Sequence, residues 1–161
     1  MFARYFVELP FSWNAVGAVL AKDPETWLPG LVDDAQRRGN ELLTKVGFGS
    51  RVRLAHNVTV NLGRCLCLDE KVIFPVHWRS EGAVGLFPEL DAEIEIAPLG
   101  PARSQLAINA RYEPPFGALG RAADRAALHR VAEAVIKDFI DNVAEAVMVE
   151  ARPDRTHDAL G

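Results

Sequence analysis

Between positions 104 and 113 apolar and polar residues alternate: Leu106, Ile108, Ala110 and Tyr112 fall on one face, and Gln105, Asn109, Arg111 and Glu113 supply the polar complement. That period of two belongs to a half-buried β-strand. Pro114-Pro115 ends it, and from Leu119 to Glu150 the period changes. Leu128, Val131, Val135, Phe139 and Val143 recur three or four residues apart, and Ile136, Ile140 and Val147 widen the stripe, which predicts a long amphipathic helix. A helix with one broad apolar stripe and a strand with one apolar face complete each other only by sharing a core.

Upstream, Ala3 to Leu9 reads as a strand ended by Pro10. Ser12 is placed to cap a helix from Trp13 to Lys22, with Phe11 and Val16 as a hydrophobic staple. Asp23-Pro24 starts a short helical turn through Trp27 that Pro29-Gly30 closes, and Val32, Ala35, Leu42, Leu43 and Val46 continue a helical pattern broken at Gly39. From Val52 the period becomes two: Val52, Leu54, His56, Val58, Val60 and Leu62 share one face, with Arg51, Arg53, Asn57, Thr59 and Asn61 on the other. Gly63 allows a bend before an extended piece from 64 to 68, and Asp69-Glu70 turns the chain into a strand from Lys71 to Arg79 with Val72, Phe74, Val76 and Trp78 in phase. Leu90, Ala92, Ile94 and Ile96 alternate with Asp91, Glu93 and Glu95, and Pro98 to Pro101 turns that strand toward the last one.

Strands joined by short turns pair antiparallel, and helices that precede and follow them define an α+β fold. A helix of about 30 residues spans roughly 45 Å, whereas a strand of about nine covers only about 30 Å. The sheet therefore has to curl around the helix. Such a grip predicts a cavity between the two.

The 161 residues suit one domain, expected over 1–150, with a disordered polar tail over 151–161. No repeat or interdomain linker interrupts it. The net charge of −4 argues against nucleic acid, since the only basic cluster is Arg37, Arg38, Arg51 and Arg53. No signal-peptide pattern opens the chain, and no run approaches the roughly 20 apolar residues of a membrane span. Cys65 and Cys67, two apart in an extended segment, are poorly placed for a disulfide, so a cytoplasmic protein is expected.

The order strand, helix cluster, antiparallel strands and long terminal helix resembles the helix-grip fold of the START-like or SRPBCC superfamily, which includes polyketide cyclases and aromatases, pathogenesis-related allergens and lipid-transfer domains. Ile73-Phe74-Pro75-Val76-His77-Trp78, Leu86-Phe87-Pro88-Glu89-Leu90-Asp91, Arg111 to Gly120, Asp124 and Leu128-His129-Arg130-Val131-Ala132-Glu133 are similar to the wording of its actinobacterial members. The resemblance covers about residues 3 to 149. It implies a hydrophobic or amphiphilic small-molecule ligand, lipid or polyketide-like, held between sheet and helix, and it carries no shared catalytic signature.

By parity and stripe the residues expected to line that cavity are His56, Leu54, Val58, Phe74, Val76, Trp78, Ile94, Ile108, Tyr112, Leu128, Val135 and Phe139. His56 falls on an apolar face, where an imidazole is either a satisfied core group or a ligand contact and general base. Tyr112 could orient a carbonyl while its ring fills core. His77 and Arg79 point away from Trp78 toward solvent, His129 is assigned to the helix flank and His157 to the tail. No His-x-x-x-His or Cys-x-x-Cys spacing occurs, so neither metal nor cofactor is expected. Gly-x-Ser-x-Gly is absent too. Three functions follow in order of preference: a carrier or sensor of a hydrophobic small molecule, a cyclase or aromatase using His56 and Tyr112, and an interaction module docking through Trp13, Trp27 or the outer helix face.

Overall fold

The computed structural model describes residues 2–22, 30–31, 33–35, 37–38, 41–42, 57–81, 89–113 and 125–152. Its elements are β1 (Phe2–Leu9), α1 (Trp13–Ala21), β2 (Asn57–Leu62), β3 (Leu66–Leu68), β4 (Lys71–Glu81), β5 (Glu89–Gly100), β6 (Arg103–Glu113) and α2 (Arg125–Glu150). The described positions between 30 and 42 are helical. The strands form one antiparallel sheet in the order β1-β6-β5-β4-β2, with β3 also on β4. This is the α+β architecture expected, a curved, unclosed sheet with a long carboxy-terminal helix. The expected turn at 23–27 and residues 51–56, 82–88, 114–124 and 153–161 lie outside the described residues.

Alternation sets the layers. Val72, Phe74, Val76 and Trp78 of β4, Leu90, Ala92, Ile94 and Ile96 of β5, and Leu106, Ile108, Ala110 and Tyr112 of β6 are all buried. Val135, Ile136, Phe139, Ile140, Val143 and Val147 of α2 close over them, and Val16 and Leu20 of α1 complete the same cluster. Ser12 caps α1 through its side chain, which accepts from the Ala15 backbone N–H. Arg38 donates to Asp138 Oδ2 at 2.8 Å and so ties the helical residues near 38 to the outer side of α2.

Two departures from the expected strand limits have local causes. β5 does not turn at Pro98 but runs to Gly100, because its pairing with β6 persists through Pro98↔Ser104 and a bulge follows. Its pairing with β4 reaches only Ile96, so the missing N–H of Pro98 falls where β5 has a partner on one side. The bend at Gly63 is a second bulge: β2 ends on Leu62↔Val76 and β3 begins on Leu66↔Ile73, so three residues face two. The Gly63 N–H donates to the Pro75 carbonyl at 2.8 Å. A Cβ on Gly63 would stand 3.0 Å from Cβ and 3.2 Å from Cγ of Pro75, a ring fixed to its own backbone.

Two core substitutions should move stability in opposite directions in urea unfolding. Ile140 is fully buried beneath α2, and Ile140→Ala is expected to cost about 3 kcal/mol. Ser104 is equally buried, yet its Oγ has no hydrogen-bond partner among the described residues, so Ser104→Ala is expected to stabilise by about 1 kcal/mol. A destabilised Ser104→Ala would mean that the hydroxyl is satisfied.

Candidate functional site

The register stacks the concave face into rows. Trp78, Leu90 and Tyr112 lie directly across from one another, and the backbone of Val60 extends that row on β2. The next row runs Leu62, Val76, Ala92, Ala110 and Ala3, and the one after it runs Phe74, Ile94, Ile108 and Tyr5. Three alanines thus lie between two rows of large side chains on the face that α2 covers, and Ala92 and Ala110 are buried there. Phe139 approaches this region from the helix and meets Trp78 edge-on, with ring centroids 6.0 Å apart at 70°.

At the Tyr112 end the apolar wall acquires a polar chain. The Tyr112 hydroxyl is hydrogen-bonded to His129 Nδ1, the two rings stack at 18°, and His129 Nε2 lies 3.2 Å from Glu133 Oε1 one helical turn on. A carboxylate accepts only, so it favours the proton of a neutral imidazole on Nε2. Nδ1 is then the acceptor and Tyr112 the donor. Tyr112 is 3% exposed, whereas His129 is half-buried and Glu133 exposed, so the chain leads from core to solvent. Burial and, behind it, the negative charge of Glu133 push the Tyr112 phenol above its usual range. A phenol is already neutral at physiological pH, and the shift extends that neutral, donating range further into alkali.

Sequence reasoning put His129 on the helix flank, where it is half-buried, but did not foresee its hydrogen bond to Tyr112. Its signal was present in two pieces, the His129–Glu133 spacing of four on a helix and the inward parity of Tyr112, which only the packing of α2 on β6 unites. Of the expected cavity residues, Phe74, Val76, Trp78, Ile94, Ile108, Tyr112, Val135 and Phe139 are all buried between sheet and helices. Leu54 and His56 lie outside the described residues, as do the side chains of Val58 and Leu128; the backbone of Val58 pairs with Ser80.

The remaining chemistry sits elsewhere. His77 is exposed on the outer face, with Nδ1 2.8 Å from Asp91 Oδ1, in a groove of about 220 Å³ between Phe2, Pro75, Glu93 and Arg111. Cys65 and Cys67 are free, with sulfurs 3.6 Å apart, and burial followed by the neighbouring Cys67 thiol pushes Cys65 up, away from an activated thiolate. Trp13, expected as an exposed docking residue, is half-buried against the core instead, and Trp27 lies outside the described residues. Among the described residues no three His, Cys, Asp or Glu side chains converge on a metal position, and no helix is long and apolar enough to cross a membrane.

No family model matches the chain, and no curated protein matches it. Solved structures similar to it include a conserved protein from Geobacillus kaustophilus, at 14% identity over 93% of this chain and 97% of that one, with a TM-score of 0.49. A norcoclaurine synthase point mutant from Thalictrum flavum, in complex with a transition-state analogue, is similar at 14% identity over 94% and 96%, with a TM-score of 0.49. The Zhui aromatase/cyclase from Streptomyces sp. R1128 is similar at 13% identity over 94% and 93%, with a TM-score of 0.43.

The Tyr112 environment has a measurable consequence. A phenol whose folded value lies above its unfolded value stabilises the fold below the unfolded value, near 10, and that contribution is lost as pH rises through the folded one. Tyrosinate absorbance should therefore show one of the chain's two tyrosines, Tyr5 and Tyr112, ionising late. Tyr112→Phe should remove that late component and flatten the alkaline decline in stability; an unchanged titration would contradict the assignment.

Proposed function

We propose that this protein binds a hydrophobic or amphiphilic small molecule, lipid or polyketide-like, between the concave face of the sheet and α2. The ligand's polar end sits at Tyr112, His129 and Glu133, and its apolar body lies toward Trp78 and the alanine row. The observation that carries this reading is the polar chain at one end of an otherwise apolar wall: a buried phenol hydrogen-bonded to an imidazole that reaches an exposed carboxylate. Apolar walls with a few oriented polar groups are the general design of small-molecule sites.

The same chain favours one second reading, a cyclase or aromatase-type enzyme. Its acid–base pair would be Tyr112 and His129, joined by His56 if that side chain reaches the site. A neutral phenol backed by an imidazole is suited to donating to a carbonyl oxygen as charge builds there. In either case nucleic acid is not the partner, a reading supported by the exposed Asp91 and Glu93 on the outer face of β5. The two free thiols accord with a reducing cytoplasm.

An anilinonaphthalene-sulfonate dye should bind saturably at one site and be displaced by a long-chain fatty acid. Ala110→Leu, which puts a large side chain into the alanine row, should weaken dye binding by about tenfold or more, the scale of roughly 1.4 kcal/mol. Asn109→Leu, on the opposite face, should leave it unchanged. Near-ultraviolet circular dichroism keeps loss of the site distinct from loss of the fold. Non-saturable uptake, or an Ala110→Leu protein that binds like the parent, would sink the proposal.

A further inference from the structure

β1 is the outermost strand of the sheet, hydrogen-bonded to β6 along one side and to no other strand among those described. Its outer face presents Phe2, Arg4, Phe6 and Glu8, with Phe2 58% and Phe6 55% exposed. On its inner face Ala3, Tyr5 and Val7 are only partly buried, although they pack against the core. Its eight residues contain no proline, and its register against β6 has no bulge. An unbroken edge of that length is a template for another strand.

We propose that β1 pairs antiparallel with β1 of a second copy of this chain, about a two-fold axis at Phe6, so that one sheet runs through both protomers. The symmetry and the charges select this register. Residues directly opposite across an antiparallel pair share a face, so the outward residues at even positions can face only one another. A two-fold centred on Arg4 sets Arg4 against itself, and one centred on Glu8 opposes two carboxylates. Centring on Tyr5 places Arg4 against the partner's Phe6, and centring on Val7 places Glu8 against the partner's Phe6. Only centring on Phe6 sets Arg4 opposite the partner's Glu8 and, by symmetry, Glu8 opposite the partner's Arg4.

That register satisfies the other groups as well. Phe6 meets its symmetry mate on the axis, covering the most exposed ring in the middle of the strand. On the inner face Tyr5 lies opposite the partner's Val7 and Ala3 opposite the partner's Leu9, so the apolar layer continues across the junction. Glu8 accepts from Arg103 through Oε2, which leaves Oε1 for the partner's Arg4. Lys137, the cation stacked 5.0 Å from the Tyr5 ring, is already neutralised by Asp141 at 2.6 Å. Pro10, with no N–H to give, falls at the last pair of the ladder opposite the partner's Phe2. Edge charges can also serve to keep a strand single, but that role needs only charge; it does not need opposite signs placed symmetrically about an exposed phenylalanine.

Sedimentation velocity and light scattering test the register directly. The parent should be a dimer. Arg4→Glu alone and Glu8→Arg alone each create two like-charge pairs per dimer and should raise the dissociation constant about tenfold or more. An equimolar mixture of the two variants restores both opposite-charge pairs and should give a heterodimer of parental affinity. Independently of these charges, Phe6→Cys in a Cys65→Ser, Cys67→Ser background should form a covalent dimer under mild oxidation, because the two sulfurs meet on the axis. A monomeric parent, single reversals that still dimerise like it, a mixture that stays monomeric, or a Phe6→Cys protein that does not cross-link each overturns the proposal.

Discussion

The burial of one sheet face under one helix stripe is the constraint on which the rest of this molecule depends. Phe74, Val76, Ile94, Ile96, Leu106 and Ile108 offer a continuous apolar wall, and Val135, Phe139, Ile140, Val143 and Val147 are the side chains that cover it. Neither is stable wet: the strands would expose a greasy face, and a helix alone draws little stability from propensity. Once joined, they fix geometry elsewhere. Tyr112 meets His129 because the same packing that seats Phe139 against Trp78 sets the amino-terminal half of α2 over the end of β6.

Most of that framework was legible in the chain. The alternation of Leu90 to Ile96 and of Leu106 to Tyr112, and the stripe from Val131 to Val147, each report a local period, and local periods survive folding. What was not legible depended on partners. Whether Pro98 ends a strand is decided by whether β4 still lies beside it, and whether Gly63 is a bend or a bulge is decided by the Pro75 ring across the ladder. Both are facts about a neighbour distant in sequence, and propensity does not encode them.

The candidate site shows the same division more sharply. Tyr112 could be placed by parity and Trp78 likewise, since each belongs to a strand whose buried face is unambiguous. His129 could not, because polar residues on a helix flank look alike in sequence whether they face solvent or a neighbouring strand. Its meaning comes from Tyr112, 17 residues earlier and on a different element. A row of small residues on the buried face was equally hidden: Ala3, Ala92 and Ala110 fall in one row only because the β1, β5 and β6 registers align them. A single-residue slip in either pairing would move that row to the opposite face.

The two edges of the sheet are built on different principles. Along the β4 side the edge is broken: β2 stops, three residues bulge over Pro75, and β3 resumes for three residues only, a design that limits strand addition. Along the β1 side nothing interrupts the ladder, and the charges that decorate it are one cation and one anion equidistant from Phe6. An open sheet must manage both of its edges. Here one is managed by irregularity, and the other keeps the regularity and charge symmetry that pairing with its own copy requires.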